Sequence, residues 1–256
     1  MRSYLEAALR GIVQGLTEFL PISSSGHLFI MNLLGFENQS LFFDILLHIS
    51  TLIAIVVIYR KSILNLIRNP LSEKTKFVLV ATVPTAILAG VVRYFLYDYT
   101  KVMLPFCFMV TTVMLASTKI AQSQNMALKW NNGYTKTALL AGVAQGVASL
   151  TGVSRSGSVI TVLRHLGLEK EESSELTFLL SIPIILGSAI VEIVCYEGAN
   201  TINIGEAVIA MIFAFMSGIL AIKTFIKVLN NDKIWIFSIY TFLLSCAGFY
   251  LVFFRR

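Results

Sequence analysis

Residues 11–26 read GIVQGLTEFLPISSSG, and residues 142–157 read GVAQGVASLTGVSRSG. The two stretches align without gaps at a constant offset of 131, and six of their sixteen positions are identical. The identical positions are occupied by Gly, Gln and Ser. Chance similarity between apolar segments explains matches of Ile with Val, but it does not place polar residues in register. The sequence therefore predicts an internal repeat.

The repeat extends beyond these two stretches. The same offset pairs Asp44 with Glu175, and twice 131 is close to the full length of 256 residues. We therefore predict a single integral domain over residues 1–256. It is composed of one repeat at about 1–125 and a second at about 132–256.

The composition is typical of a membrane protein. Apolar residues make up 56% of the chain and charged residues 13%, and the mean hydropathy is +0.79. A soluble domain carries about 25% charged residues, so this chain lacks the charge to cover a surface that faces water. The net charge of +6 is spread over the connections between apolar segments. We therefore expect the bilayer as partner and no nucleic acid.

Six apolar segments are long enough for the roughly 20 helical residues that cross a bilayer. We place them near 41–59, 77–96, 102–118, 174–196, 206–222 and 234–254. The connections between them that are rich in Lys and Arg are assigned to the cytoplasm by the positive-inside rule. These connections lie at 60–76, 119–136 and 223–233.

Two further stretches, 5–34 and 137–167, are interrupted by polar clusters and do not fit as spans. Alternation of the six spans requires each stretch to begin and end on the same side. A re-entrant helix-loop-helix hairpin does so, and backbone of this kind survives only beside protein or a water-filled cavity. One hairpin and three spans per repeat turn the second copy upside down. The predicted fold is therefore all-α, with six transmembrane helices and two re-entrant hairpins in two inverted-topology repeats.

Glu18 and Arg155 are candidate functional residues because an ionisable group inside a membrane segment is costly. Gln14 lies four residues before Glu18, so the two share one face of a helix. Glu18 and Arg155 could also pair with each other across the two halves. Such a pair would be part of a site or only a structural clasp between the hairpins.

The loop of each hairpin offers the groups of an anion site. Serine and glycine before a helix supply hydroxyls and open N–H groups beside the positive end of the helix dipole. Arg155 adds a planar charged fork suited to phosphate, and Glu18 and His27 could move protons or hold a metal. The alternative is that the serines bond only to backbone or to a neighbouring helix. The predicted substrate contacts are Gln14, Ser23, Ser25, Gly26, Ser154, Ser156 and Gly157.

Asp44 and His48 are also four residues apart, at the start of a predicted span. Both are candidates for lining the same cavity. His48 could equally be an interior histidine whose hydrogen bonds are satisfied.

Three segments resemble those of a known family, the undecaprenyl-diphosphatases, which are the bacitracin-resistance membrane phosphatases. Residues 14–27, QGLTEFLPISSSGH, are similar to the first signature of the family, and residues 151–157, TGVSRSG, are similar to the second. Residues 43–48, FDILLH, resemble a third recurring segment. The resemblance covers essentially the full length. It departs at Gln14, where many members have Glu, and at Thr151, where the signature has Pro.

The resemblance implies a hydrolase of the plasma (inner) membrane that converts undecaprenyl diphosphate to the monophosphate carrier used in peptidoglycan synthesis. It implies that Arg155 clamps the diphosphate, that Ser24 aligns with the proposed nucleophile, and that His27 assists. Glu18 would serve in acid/base work or metal binding. Activity in the family depends on a divalent cation, Mg²⁺ or Ca²⁺, for which Gln14 and Glu18 offer oxygen ligands.

Several alternatives stay open at this point. Ser24 could attack the phosphate covalently or position a water. Inverted repeats with broken helices are also a common transporter design, so the same anion site could serve a lipid flippase. Whether the protein forms a homodimer is also open.

Overall fold

The computed structural model describes residues 2–36, 41–121, 134–194 and 203–254. Within these ranges the chain is entirely helical and forms no strand. The α-helices are α1 (Arg2–Phe19), α2 (Ser24–Leu33), α3 (Leu41–Arg68), α4 (Glu73–Leu96), α5 (Thr100–Ala121), α6 (Tyr134–Val147), α7 (Arg155–His165), α8 (Lys170–Val194), α9 (Ile204–Asn230) and α10 (Phe237–Phe249).

The six predicted spans are confirmed. Within the described residues, six helical segments are long and apolar enough to cross a membrane. They are Phe42–Arg68, Glu73–Leu96, Thr100–Ala121, Lys170–Val191, Ile204–Asn230 and Ile234–Phe254, the last of which contains α10. The protein is therefore a multi-pass membrane protein.

The helices extend further than the predicted spans. α3 continues to Arg68 and α9 to Asn230, so much of the basic connections predicted at 60–76 and 223–233 is helical. Lys and Arg are good helix formers, and their long side chains reach the interface from a helix end. Most of the connection predicted at 119–136 lies outside the described residues.

The two interrupted stretches each form a pair of helices. α1 and α2 are joined by a turn at residues 20–23, and α6 and α7 by a turn at 148–154. A serine caps the second helix of each pair, because Ser23 Oγ and Ser154 Oγ accept hydrogen bonds from the Gly26 and Gly157 N–H groups. These bonds measure 3.3 and 3.1 Å.

The order of elements recurs at the offset seen in the sequence. α2 begins at Ser24 and α7 at Arg155, and α4 begins at Glu73 and α9 at Ile204; both intervals are 131 residues. Each helix pair packs against a long helix of the other half, since α1 contacts α9 and α6 contacts α4.

Glycines let these helices approach closely. A Cβ added at Gly11 would lie 2.2 Å from the Ala210 carbonyl oxygen, and one at Gly142 would lie 2.2 Å from that of Ala81. Small residues at such contacts are typical of packed membrane helices. A ring cluster at Phe178 then holds the end of α1, since the Phe19 ring lies 5.7 Å from the Phe178 ring.

Candidate active site

The two helix pairs meet at the Glu18 carboxylate. Glu18 lies in the last turn of α1, and its side chain is only 3% exposed. Its Oε1 accepts a hydrogen bond from Arg155 Nη2 at 2.5 Å, and its Oε2 accepts one from Ser24 Oγ at 2.5 Å. The predicted pairing of Glu18 with Arg155 is therefore present. Ser24 and Arg155 occupy equivalent positions, one at the start of α2 and the other at the start of α7.

Two further side chains lie beside this carboxylate. Gln14 Nε2 donates to Glu18 Oε2 at 3.1 Å, and His48 Nε2 lies 3.9 Å from the same oxygen. His48 Nδ1 is 2.8 Å from the backbone carbonyl oxygen of Asp44, which can only accept. The proton on Nδ1 is thereby assigned, so a second proton on Nε2 would face Glu18.

A cavity of about 640 Å³ opens beside these groups. One part of its wall is polar and comes from the two turns, from the helix ends beside them and from His48 on α3. It consists of Thr17, Glu18, Ser23, Ser24, Ser25, His48, Ser149, Thr151, Ser154 and Arg155. Much of the remaining wall is apolar and comes from α4, α5 and α8, including Ala86, Val92, Leu96, Ile184 and Val191. The cavity thus joins a charged end to an apolar length.

Some predicted substrate contacts do not line this cavity, namely Gln14, Gly26, Ser156 and Gly157. Gln14 instead bonds to Glu18 within α1, and the other three lie where the two loops contact each other. A Cβ at Gly26 would lie 3.1 Å from Gly152 Cα in the second loop, and Ser156 Oγ donates to the Leu20 carbonyl oxygen in the first at 3.3 Å. The two loops therefore pack on each other directly.

Asp44 and His27 also lie outside the cavity lining. The Asp44 carboxylate interacts electrostatically with Arg10, which is buried between the helices. His27 forms hydrogen bonds to the Ser23 carbonyl oxygen and to the Tyr240 hydroxyl. Of the predicted pair Asp44 and His48, only His48 lines the cavity.

The starts of α2 and α7 face the cavity through Ser24 and Arg155. The N-terminal end of a helix carries a partial positive charge and favours anions. Part of the backbone there is already bonded, because the Ser154 N–H donates to Thr111 Oγ1 at 3.0 Å. The field of the two helices therefore adds to the charge of Arg155.

Arg93 is a cavity residue that the sequence prediction does not include. It lies in the last turn of α4 and lines the cavity. No ion pair to Arg93 is formed within the part of the chain that the structure describes. A lone arginine inside the apolar segment 77–96 was the available signal.

The donors for a divalent cation are oxygen atoms. Gln14 Oε1 is buried and has no hydrogen-bond partner among the described residues, and the Glu18 carboxylate lies next to the same side chain. The described residues contain no cluster of three or more His, Cys, Asp or Glu that could hold a metal. Carboxylate and amide oxygens suit a hard cation, but Gln14 does not line the cavity, so of these two residues only Glu18 borders the space that a phosphate could occupy.

Comparison with known proteins identifies the family. The family model described as bacitracin resistance protein BacA matches residues 7–247. The chain belongs to the BacA family. The BacA match contains the second helix pair and, from residue 7 onward, the first, and with them Glu18, Ser24 and Arg155. The resemblance inferred from the sequence signatures is therefore confirmed.

BacA-type relatives of this chain occur in distant organisms. Proteins named undecaprenyl-diphosphatase are 35% identical in Treponema denticola, over 93% of each chain, and 34% identical in Carboxydothermus hydrogenoformans, over 94% of each. One from Korarchaeum cryptofilum is 32% identical over 94% of this chain and 97% of its own. The similarity thus extends over nearly the whole length of each protein.

Proposed function

We propose that this membrane protein is an undecaprenyl-diphosphate phosphatase. It removes the terminal phosphate of undecaprenyl diphosphate and yields undecaprenyl phosphate and inorganic phosphate. This reaction recycles the lipid carrier of cell-wall glycan synthesis at the plasma membrane and supports bacitracin resistance. The names of the relatives support the proposal. The observation that carries it is one buried carboxylate, Glu18, bonded to the Ser24 hydroxyl and to the Arg155 guanidinium.

The shape of the cavity supports a lipid diphosphate as substrate. The diphosphate would bind at the polar end, beside Arg155 and the starts of α2 and α7. The prenyl chain would lie along the apolar wall formed by α4, α5 and α8. Gly90 and Gly187 lie on this wall, and a Cβ at either would meet no atom within 4 Å. They therefore leave room for the chain.

Ser24 is the proposed nucleophile. Its hydroxyl already donates to Glu18 Oε2 at 2.5 Å, so the carboxylate can take the proton as the serine oxygen attacks the terminal phosphorus. The bond between that phosphorus and the bridging oxygen breaks, and undecaprenyl phosphate leaves with the electron pair. Water then attacks the phosphorus of the phosphoserine and gives up a proton to a phosphate oxygen. The bond between that phosphorus and the Ser24 oxygen breaks, and the serine oxygen takes back the proton from Glu18 as inorganic phosphate is released.

Arg155 stabilises the charge on the transferring phosphoryl group. Its side chain is 21% exposed, and one nitrogen is bonded to Glu18. The guanidinium has five N–H donors, so others can bind phosphate oxygens in fork geometry. A divalent cation, Mg²⁺ or Ca²⁺, would be held by the Glu18 carboxylate, which lines the cavity, and would neutralise charge on the phosphate oxygens.

The topology that we propose places both helix pairs as re-entrant hairpins in two inverted repeats. The recurrence of elements at 131 residues and the exchange of packing partners between halves support it. The lining residues of α4 and α8 come from the later parts of these helices, and those of α5 from its start. The positive-inside rule puts these ends outside. The site would therefore open to the outer face.

The structure and the relatives do not favour a lipid transporter. A flippase needs to bind the lipid head group but needs no activated nucleophile. The bond from Ser24 to a buried carboxylate is the arrangement that an activated nucleophile needs, and the relatives compared above are named undecaprenyl-diphosphatase.

The proposal is tested by phosphate release from undecaprenyl diphosphate by the purified protein in detergent. Wild type is compared with Ser24→Ala, with and without a divalent-cation chelator. Ser181→Ala is a matched control, because that hydroxyl bonds the Thr177 carbonyl of its own helix at 3.1 Å. We expect release by wild type and by the control, and loss in Ser24→Ala. No release by folded wild type with cation present would contradict the proposal.

A further inference from the structure

The first loop has an unusual backbone conformation that the second loop does not share. Ser23 has a φ of 71°, in the left-handed region that residues other than glycine rarely adopt. Ser154 occupies the equivalent position before α7 and has an ordinary φ of −82°. Both serines cap a helix in the same way. The cap alone therefore does not require the left-handed turn.

His27 and Tyr240 form a chain of hydrogen bonds to this turn. His27 Nδ1 lies 2.6 Å from the Ser23 carbonyl oxygen, and His27 Nε2 lies 2.8 Å from the Tyr240 hydroxyl. The two rings are stacked, with centroids 5.7 Å apart and planes within 10°. In the second repeat the position of His27 is taken by Ser158, which donates to Met114 Sδ. The histidine and the left-handed serine thus occur in the same repeat and are both missing from the other.

The hydrogen bonds assign the protons of His27. A backbone carbonyl only accepts, so Nδ1 must carry a hydrogen and donate it to Ser23. In the neutral ring, Nε2 then accepts the Tyr240 hydroxyl proton. Both ring nitrogens are occupied, and His27 does not line the cavity. In this geometry neither nitrogen can take a proton from Ser24.

The turn controls where the nucleophile lies. Ser23 directly precedes Ser24. The backbone angles of Ser23 therefore determine the direction in which the Ser24 side chain points at the start of α2. That hydroxyl is 2.5 Å from Glu18 Oε2. We propose that Tyr240 is a positioning residue that acts through His27. It holds the Ser23 carbonyl, and thereby the left-handed turn that presents Ser24 to Glu18. This inference rests on the proposed phosphatase function.

Tyr240 can be altered without disturbing the core. It lies on α10 and is 43% exposed, so loss of its hydroxyl opens no cavity. The buried Phe108 ring packs edge-on against His27 at 6.0 Å and keeps that ring in place. Tyr240→Phe therefore removes one hydrogen bond and retains the ring stack.

The first test is steady-state kinetics of Tyr240→Phe on undecaprenyl diphosphate. We expect kcat to fall about three- to tenfold, the effect of one hydrogen bond, with KM and the shape of the pH–kcat profile unchanged. Tyr250→Phe, which removes the hydroxyl of a tyrosine that is 63% exposed, should retain the wild-type kcat. An unchanged kcat in Tyr240→Phe would overturn the proposal. Loss of one limb of the pH–kcat profile would also overturn it, because His27 would then transfer a proton in the reaction.

A double variant separates positioning from general destabilisation. His27→Phe removes both hydrogen bonds, and we expect a larger fall in kcat than in Tyr240→Phe. If Tyr240 acts only through His27, the double variant has the same kcat as His27→Phe alone. If the fold-decreases in kcat of the two single variants multiply in the double variant, Tyr240 acts independently of His27, which would contradict the inference.

A spectroscopic measurement decides the geometry even if the wild type releases no phosphate. The chain has only three histidines, so nitrogen NMR of the ¹⁵N-histidine protein can resolve them. We expect His27 as the Nδ1–H tautomer, with an Nε2 shift that changes in Tyr240→Phe and not in Tyr250→Phe. A His27 protonated only on Nε2, or a shift unaffected by Tyr240→Phe, would overturn the inference. An inactive wild type with the expected spectrum would overturn the proposed function alone.

Discussion

Replacing Arg155 by Ala should destabilise the protein far more than neutralising Glu18. The Glu18 side chain is 3% exposed and the Arg155 side chain is 21% exposed. Loss of Arg155 leaves a buried carboxylate that keeps its hydrogen bonds from Ser24 and Gln14 but has lost its close cation. Breaking a buried ion pair in this way costs about 3–5 kcal/mol of unfolding free energy.

Glu18→Gln should reduce activity strongly but stability only slightly. It keeps the size of the side chain and removes its charge, and the guanidinium of Arg155 can turn toward the cavity. We expect this variant to lose about 1 kcal/mol of unfolding free energy. Its activity should nevertheless fall by about 10²- to 10⁴-fold, because the general base is gone.

The double variant Glu18→Gln/Arg155→Ala gives the sharper result. It contains no unpaired buried charge, so it should recover most of the stability that Arg155→Ala loses, while activity stays absent. For a chain of this size a loss of 3–5 kcal/mol lowers Tm by about 10 °C. Thermal unfolding of detergent-purified protein, followed by size-exclusion recovery, measures the three variants against wild type.

A double variant as unstable as Arg155→Ala would refute this reasoning. The stability of the site would then depend on the packing of the arginine side chain rather than on compensation of the Glu18 charge. An Arg155→Ala variant with wild-type Tm would refute it equally, since the carboxylate would have to be hydrated or protonated.

Three further predictions concern the cavity and the helix contacts. Arg93→Gln should raise KM for undecaprenyl diphosphate about tenfold, because Arg93 lines the cavity and attracts the anionic substrate, while Arg93→Lys stays closer to wild type; a KM unchanged in both would show that Arg93 does not contribute to substrate binding. Gly187→Leu should fill the apolar wall and raise KM more for the undecaprenyl than for a farnesyl substrate, whereas Gly187→Ala should not; equal effects on both substrates would place the chain elsewhere. Gly142→Ala would put a Cβ 2.2 Å from the Ala81 carbonyl oxygen, whereas the Cβ of Gly90→Ala would meet no atom within 4 Å. Thermal unfolding should therefore show a loss of about 1–3 kcal/mol of unfolding free energy in Gly142→Ala only. Equal stabilities of the two variants would contradict the close helix contact.

Much of the fold can be predicted from the sequence because few backbone structures are stable in lipid. Apolar length identifies the six spans, and the structure extends the first by nine residues, to Arg68, and the fifth by eight, to Asn230, at their C-terminal ends. The placement of Glu18 against Arg155 was predictable because both are ionisable groups within apolar segments, in the two copies of one repeat. Glu18 lies at the end of α1 and Arg155 at the start of α7, and their opposite charges favour the ion pair that the structure contains.

The finer arrangement of the site could not be read from the sequence. The motif contains Gly26 and Ser156, but only the packing shows that they join the two loops instead of lining the cavity. Tyr240 is 213 residues from His27, and no local pattern connects the two. Arg93 was accessible in principle, as a lone cation in an apolar segment.

The central claim is that Glu18 activates Ser24 for attack on the terminal phosphorus. The most direct test mixes the purified protein with undecaprenyl diphosphate labelled in its terminal phosphate and quenches the reaction in acid within milliseconds. The account predicts labelled protein that forms and decays, with the phosphate mapped by peptide mass spectrometry to Ser24, and no label in Ser24→Ala or Glu18→Gln. Rapid phosphate release with no labelled protein at any quench time, and with activity retained in Ser24→Ala, would contradict it.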